Sequence, residues 1–225
     1  MFGSIIGAKV SNVILYSEKG NYIQRYSGKD RGWHVLGGLC GLAAVGKGNS
    51  AENVKISNCT VSGYTIQDNS DKGAYGDSSI GGMFGMSTMD LRECTAVNTI
   101  IINMTESSRT ESVRVGGLVG SMRGVISNCY TGGEITCTDT CLQNRRTRLM
   151  LAGISGGIYI KNKGNLLELL GNSILGIEGA RDDTRGNAEQ CKTPTTIIQN
   201  CYTYIKMPTD TAKRITSIEP IGRNG

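Results

Sequence analysis

Gly116-Gly117-Leu118-Val119-Gly120, followed by Gly124 and then by Ile126-Ser127-Asn128-Cys129-Tyr130, is the stretch on which the reading of this chain turns. Both halves recur. The glycine half returns as Gly37-Gly38-Leu39-Cys40-Gly41 and Gly81-Gly82-Met83-Phe84-Gly85, with a weaker copy at Gly156-Gly157-Ile158-Tyr159. The second half returns as Ile56-Ser57-Asn58-Cys59, Leu91-Arg92-Glu93-Cys94 and Ile198-Gln199-Asn200-Cys201, and near the start as Val10-Ser11-Asn12-Val13. Cys59, Cys94 and Cys129 follow one another at steps of 35 residues, whereas Gly41, Gly85 and Gly120 follow at 44 and then 35. A constant core with variable inserts is what stacked coils with loops on one side produce.

The expected fold is therefore all-β: a β-solenoid, or parallel β-helix, of about five imperfect coils of roughly 35–45 residues. Residues 1–225 read as one such repeat domain. Composition agrees with this. The chain has 32 Gly but only 3 Pro, and only 2 Phe and 1 Trp, so neither a Pro/Gly linker nor a core filled by large rings fits. Ile, Val and Thr are plentiful, and their stiff branched side chains suit pleated strands.

In each copy the paired glycines let the backbone bend or approach the next coil closely. The Ile-Ser-Asn-Cys segment alternates, so Ile and one of Asn or Cys face inward. Copies of one motif stack about 4.8 Å apart. Like residues then form ladders: Asn12, Asn58, Asn128 and Asn200, satisfied by amide hydrogen bonds, and Cys59, Cys94, Cys129 and Cys201 beside them. Glu93 interrupts the Asn ladder and is expected to touch solvent. Cys40 takes the variable apolar position held by Phe84 and Val119. At the start, Phe2-Gly3-Ser4 aligns with Val119-Gly120-Ser121, so the chain opens in mid-repeat and reads as a fragment of a longer protein.

Two segments read as irregular loops, residues 139–153 with the basic run Arg145, Arg146 and Arg148, and residues 179–195 with Asp182, Asp183 and Pro194. A last coil is expected at Asn200-Cys201-Tyr202-Thr203, with a frayed tail from Pro208.

With both motifs in view, the chain resembles the GLUG-motif repeats of bacterial surface proteins over about two thirds of its length. That resemblance implies a bacterial, extracellular or wall-attached setting in adhesin-like proteins. The motif is structural and brings no catalytic residue with it.

The chemical candidates are few. Eight cysteines admit disulfides in a secreted protein, but four occupy equivalent repeat positions, where stacked small thiols are the simpler account. Cys137 and Cys141 lack a second Cys or His pair to complete a zinc set. His34 is the only histidine and flanks Trp33 at a strand entry, which removes His-rich metal motifs. No catalytic constellation, metal site or cofactor is expected. Asp182 and Asp183, with Glu178 and Glu189, are the best acidic cluster for a glycosidase pair or a calcium site, although neighbours on a strand point to opposite faces. Arg145, Arg146 and Arg148 offer guanidinium forks to an acidic glycan.

A formal charge of +5, scattered and without interleaved aromatics, argues against nucleic acid as a partner. No run reaches the roughly 20 apolar residues of a membrane span. The lead expectation is an adhesive, non-enzymatic surface module that binds a glycan or host protein. A polysaccharide lyase or glycosidase, and a bare spacer for a peptidase or other domain, are the alternatives. Exposed solenoid ends are expected to self-associate.

Overall fold

The computed structural model describes residues 2–27, 33–46, 49, 53–70, 75–105, 108–144, 147–157, 196–208 and 215–219. Their strands form four sheets, and every pairing is parallel. Sheet A contains β1 (Phe2–Ile6), β6 (Cys40–Ala44), β10 (Phe84–Ser87) and β14 (Val119–Met122), in that order. Sheet B runs from β2 (Val10–Ser11) through β7 (Lys55–Ser57), β11 (Asp90–Arg92) and β15 (Val125–Ser127) to β18 (Ile197–Gln199). Sheet C contains β8 (Thr60–Ser70), β12 (Thr95–Met104), β16 (Tyr130–Cys137) and β19 (Tyr202–Lys206). Its β8 is flanked along one edge by β3 (Ile14–Tyr16) and then β4 (Tyr22–Ser27). Sheet D contains β5 (His34–Gly37), β9 (Tyr75–Gly81), β13 (Arg109–Gly116), β17 (Arg148–Ala152) and β20 (Ile215–Glu219).

Each strand pairs with its counterpart one repeat away, so the register restates the motif alignment. Phe2, Cys40, Phe84 and Val119 form one row. Val10, Ile56, Leu91, Ile126 and Ile198 form another. The last glycine copy needs correcting. Gly116 pairs with Ala152, and Val119 bridges Ser155, so the copy is Ala152-Gly153-Ile154-Ser155-Gly156. Gly156 stands in the place of Gly120 rather than Gly116.

The second glycine of each copy is kept at 38, 82, 117 and 153. A Cβ on Gly82 would collide with the Gly117 carbonyl oxygen and reach Ala96 at 3.1 Å. None of these glycines needs a left-handed φ, so close approach of the backbones is the reason they are glycine.

The corner after sheet B is made differently. Asn12, Asn58, Glu93, Asn128 and Asn200 all have φ between 51° and 60°. Asparagine tolerates this left-handed region better than other non-glycine residues. The expected inward Asn ladder is corrected here. Asn58 and Asn128 are exposed while Ile56, Cys59, Ile126 and Cys129 are buried. The strand ends at Ser, and the left-handed corner resets the alternation, so Ile and Cys both face inward at a spacing of three. Asn58 Nδ2 donates to Asn12 Oδ1 at 2.7 Å on the outside. Glu93 sits at the same corner, exposed, without the amide that suits it. Glu93→Asn should therefore raise the urea midpoint, stabilising by about 1 kcal/mol.

The segment 139–153, expected as an irregular loop, carries regular structure among its described residues. It contains the helix α1 (Asp139–Gln143), capped by the Thr138 side chain on Cys141 N, and then β17. Leu149 and Leu151 alternate inward along β17, a pattern obscured by the neighbouring arginines. The tail beyond Pro208 contributes β20, which pairs with β17. The loop expected at 179–195 lies outside the described residues.

Apolar side chains fill the spaces between sheets. Leu39, Cys40, Ile56, Phe84 and Leu91 belong to one cluster, and Ile66, Ile100, Val113, Val115 and Leu149 to a second between sheets C and D. Sheet C bulges where Thr99 pairs with Thr65 but Val97 with Ser62. There Asn98 turns inward and donates to the carbonyls of Val61 (3.1 Å) and Gly82 (3.0 Å), and accepts from Tyr64 N (3.0 Å). Every polar group of this buried amide that faces the bend is used.

Candidate ligand-binding surfaces

The cysteine ladder is inside, not at a surface. Cys59, Cys94 and Cys129 are buried, and each Sγ donates to the carbonyl two residues earlier, at 3.2–3.3 Å. Cys201 repeats the bond at 3.2 Å and is less covered. The ladder lies in contact along its length: Cys94 N donates to Cys129 Sγ at 3.4 Å. The Cys129 thiol, followed by burial, holds Cys201 above the ordinary thiol range. Burial pushes the Cys40 thiol up to about 11. Proximity to Cys137, then burial, raises Cys141. Held in the neutral form, Cys40, Cys141 and Cys201 are poor nucleophiles and poor metal ligands, whereas hydrogen bonds with neighbouring thiols lower Cys59 and Cys129 below the ordinary thiol range. Among the described residues no group of three or more His, Cys, Asp or Glu is placed to hold a metal ion.

Of the ligand-binding residues expected from sequence, only Arg148 is described, exposed at the start of β17. Arg145, Arg146, Glu178, Asp182, Asp183 and Glu189 lie outside the described residues. His34 opens β5, half-buried, opposite Ser78.

Two surfaces carry polar groups that lie outside the two repeat motifs. On sheet D, Asp77 accepts from Ser112 Oγ at 2.7 Å and pairs with Arg114 at 3.2 Å. The Arg114 guanidinium lies 5.8 Å from the centre of the Trp33 ring, within cation–π range. Arg148 is the register partner of Ser112, so it borders the same cluster.

The outer face of sheet C is larger. Along β12 burial alternates strictly, with Ala96, Asn98, Ile100, Ile102 and Met104 inward. Thr95, Val97, Thr99, Ile101 and Asn103 face out. Register carries this division to the other strands, placing Tyr16, Tyr22, Tyr26, Tyr130, Tyr202 and Tyr204 on the outer face, all exposed. Side-chain amides connect across it. Tyr26 Oη donates to Gln24 Oε1 (3.1 Å), Gln24 Nε2 to Gln67 Oε1 (3.2 Å), and Gln67 Nε2 to Asn69 Oδ1 (2.7 Å). Asn103 Nδ2 donates to the same Asn69 oxygen at 2.8 Å. The charged residues facing out from the strands of sheet C are Glu134 and Lys206, paired with each other at 2.9 Å.

A buried pair lies behind this face. Arg25 Nε stands 2.7 Å from Asp68 Oδ1, with the Asp68 side chain 1% exposed and that of Arg25 16%. Arg25 also donates to Ser70 Oγ at 3.1 Å. Burial is the main influence on Asp68 and raises its carboxyl above the usual range, against the pull of Arg25.

No helix among the described residues is long and apolar enough to cross a membrane. In comparisons with known proteins, the chain matches no family model, no curated sequence and no solved structure.

Proposed function

We propose that the four parallel sheets are the walls of a β-solenoid, and that it serves as an adhesive repeat module of a bacterial surface or secreted protein, binding a glycan or host protein on a strand face. The observation that carries this reading is the register. Every described copy of the two motifs pairs in parallel with the next, so the chain builds long regular faces from small sequence units. Repetition of this kind produces extended binding surfaces. The likeness to GLUG-motif repeats points the same way, to an extracellular setting. Nucleic acid is not the proposed partner, and no cofactor enters the proposal.

Retention of the purified protein on an array of polysaccharides, mucins and matrix proteins tests it. Selective retention is the expected result. No retention on any of them sinks the adhesive reading in favour of a spacer that holds another domain away from the cell.

A second reading, a carbohydrate-active β-helix, is favoured by Asp77, Arg114 and Ser112 converging on sheet D. It requires turnover: release of reducing ends or unsaturated products from a polysaccharide, abolished by Asp77→Asn. Self-association is proposed through the outermost strands, where Phe2, Ile14, Tyr16 and Ile197 are exposed. Light scattering should show mass rising with concentration, and a constant monomer mass would refute it.

A further inference from the structure

We propose that the outer face of sheet C is the docking surface for a neutral polysaccharide chain, lying across the strands from β4 towards β19. The inference rests on the adhesive reading above and assigns its ligand class and site.

Three observations carry it. The first is shape. In-register parallel strands about 4.8 Å apart give an extended, ladder-like surface rather than a pocket. A polymer, able to contact many strands at once, fits such a surface.

The second is the chemistry of the exposed side chains. Tyr202 and Tyr204 are 74% and 83% exposed, and Tyr22 and Tyr26 stand on the opposite margin. Large exposed aromatics concentrated on one surface mark binding. A tyrosine offers an apolar ring face to the C–H side of a sugar and a hydroxyl to its oxygens. Between the margins, hydroxyls and amides surround the outward Val97 and Ile101, and the chain Tyr26–Gln24–Gln67–Asn69–Asn103 fixes the amide orientations before any ligand arrives. Preorganised donors and acceptors lose little freedom on binding. A protein partner would favour a continuous apolar centre ringed by a polar rim, whereas here amides and hydroxyls separate the apolar side chains.

The third is charge. Glu134 and Lys206 cancel each other, and the remaining outward residues on the strands of sheet C are neutral. An anionic glycan would need unpaired Arg or Lys, whereas a neutral one needs none.

Affinity electrophoresis of the intact protein tests the assignment, with gels containing mixed-linkage β-glucan, galactomannan, dextrin, heparin or polygalacturonate. Retardation by at least one neutral polysaccharide is expected, insensitive to salt because no ion pair forms. The double variant Tyr202→Ala/Tyr204→Ala and, on the other margin, Gln24→Ala/Tyr26→Ala should each weaken it by about tenfold. All four side chains are outward, so urea midpoints should hold, and Arg148→Ala should bind as the parent does. Retardation by a neutral polysaccharide that survives both double variants overturns the assignment. So does binding confined to heparin or polygalacturonate and abolished by salt. If matrix proteins are retained and no polysaccharide is, this inference falls while the adhesive reading stands. If nothing is retained, both fall.

Discussion

Gly82→Ala is expected to destabilise the protein by at least about 3 kcal/mol, while Gly3→Ala leaves stability within about 0.5 kcal/mol. One methyl group is added in each case. At position 82 it would occupy the space of the Gly117 carbonyl oxygen, a backbone atom that cannot rotate away, with Ala96 Cβ at 3.1 Å behind it. At position 3 nothing lies within 4 Å of the added atom. Relieving the clash means moving β10 away from its neighbour, and the bonds of Met83 N and Phe84 N to Leu118 O, at 2.9 and 3.1 Å, lie at that corner. The same corner accepts Asn98 Nδ2 on the Gly82 carbonyl, so a shift would also unseat the amide that satisfies the sheet C bulge. Urea denaturation checks the prediction. Equal midpoints for the two variants would mean that the corner is looser than the packing of its glycines implies.

That contrast also explains which parts of the fold were legible in the sequence. Residues constrained by a neighbour one repeat away must recur, so the second glycine, the inward Ile or Leu and the Cys reveal themselves as a motif. Constraints that operate once do not recur. Asn98 holds a bulge that exists in one place, and nothing in its sequence neighbourhood marks it. Matching by identity also misled at the last glycine copy. Gly156-Gly157 looks like the motif, but stacking keeps the second and fifth glycines and accepts Ala152 in the first position. The inward Asn ladder failed for a different reason. Strand alternation ends at Ser57, and at Asn58 the chain enters a corner where φ is positive and the period of two no longer holds.

The candidate site was less legible than the fold. Tyr26, Gln24, Gln67, Asn69 and Asn103 occupy different offsets in their repeats, because β4 and the bulge in β8 shift the numbering between strands. Only the register brings them into one hydrogen-bonded chain. Surface positions of a repeat are free to vary so long as the inward ones stack, so the recurring residues are those of the scaffold. The Tyr130 and Tyr202 correspondence, in register in a shared Asn-Cys-Tyr-Thr segment, is the one aromatic feature of this face that the repeat motif displays.

Arg25→Ala should be the most costly change of a partly solvated residue, at about 3–5 kcal/mol, since it strips the partner from a buried carboxylate. Asp68 faces the interior between sheets C and D, where the next residues in its row are apolar Ile102 and Cys137. Its carboxyl is raised by burial even with Arg25 beside it. The folded protein therefore holds a proton on this group more tightly than the unfolded chain does. Its contribution to stability is fully present below the unfolded pKa and is lost as pH rises through the folded pKa. Removing Arg25 takes away the one named charge that opposes burial, so the loss on raising pH should grow. Asp68→Asn should lose less than Arg25→Ala at neutral pH and flatten this part of the profile, because Arg25 keeps Ser70 and some contact with water. Replacing both, as Arg25→Met/Asp68→Leu, should recover most of the loss, as apolar substitutes for buried ion pairs commonly do. Urea titrations at a series of pH values measure all four proteins. If Arg25→Ala cost under about 0.5 kcal/mol, the pair would behave as a surface ion pair, and Asp68 would have to reach water by a route that its 1% exposure does not provide.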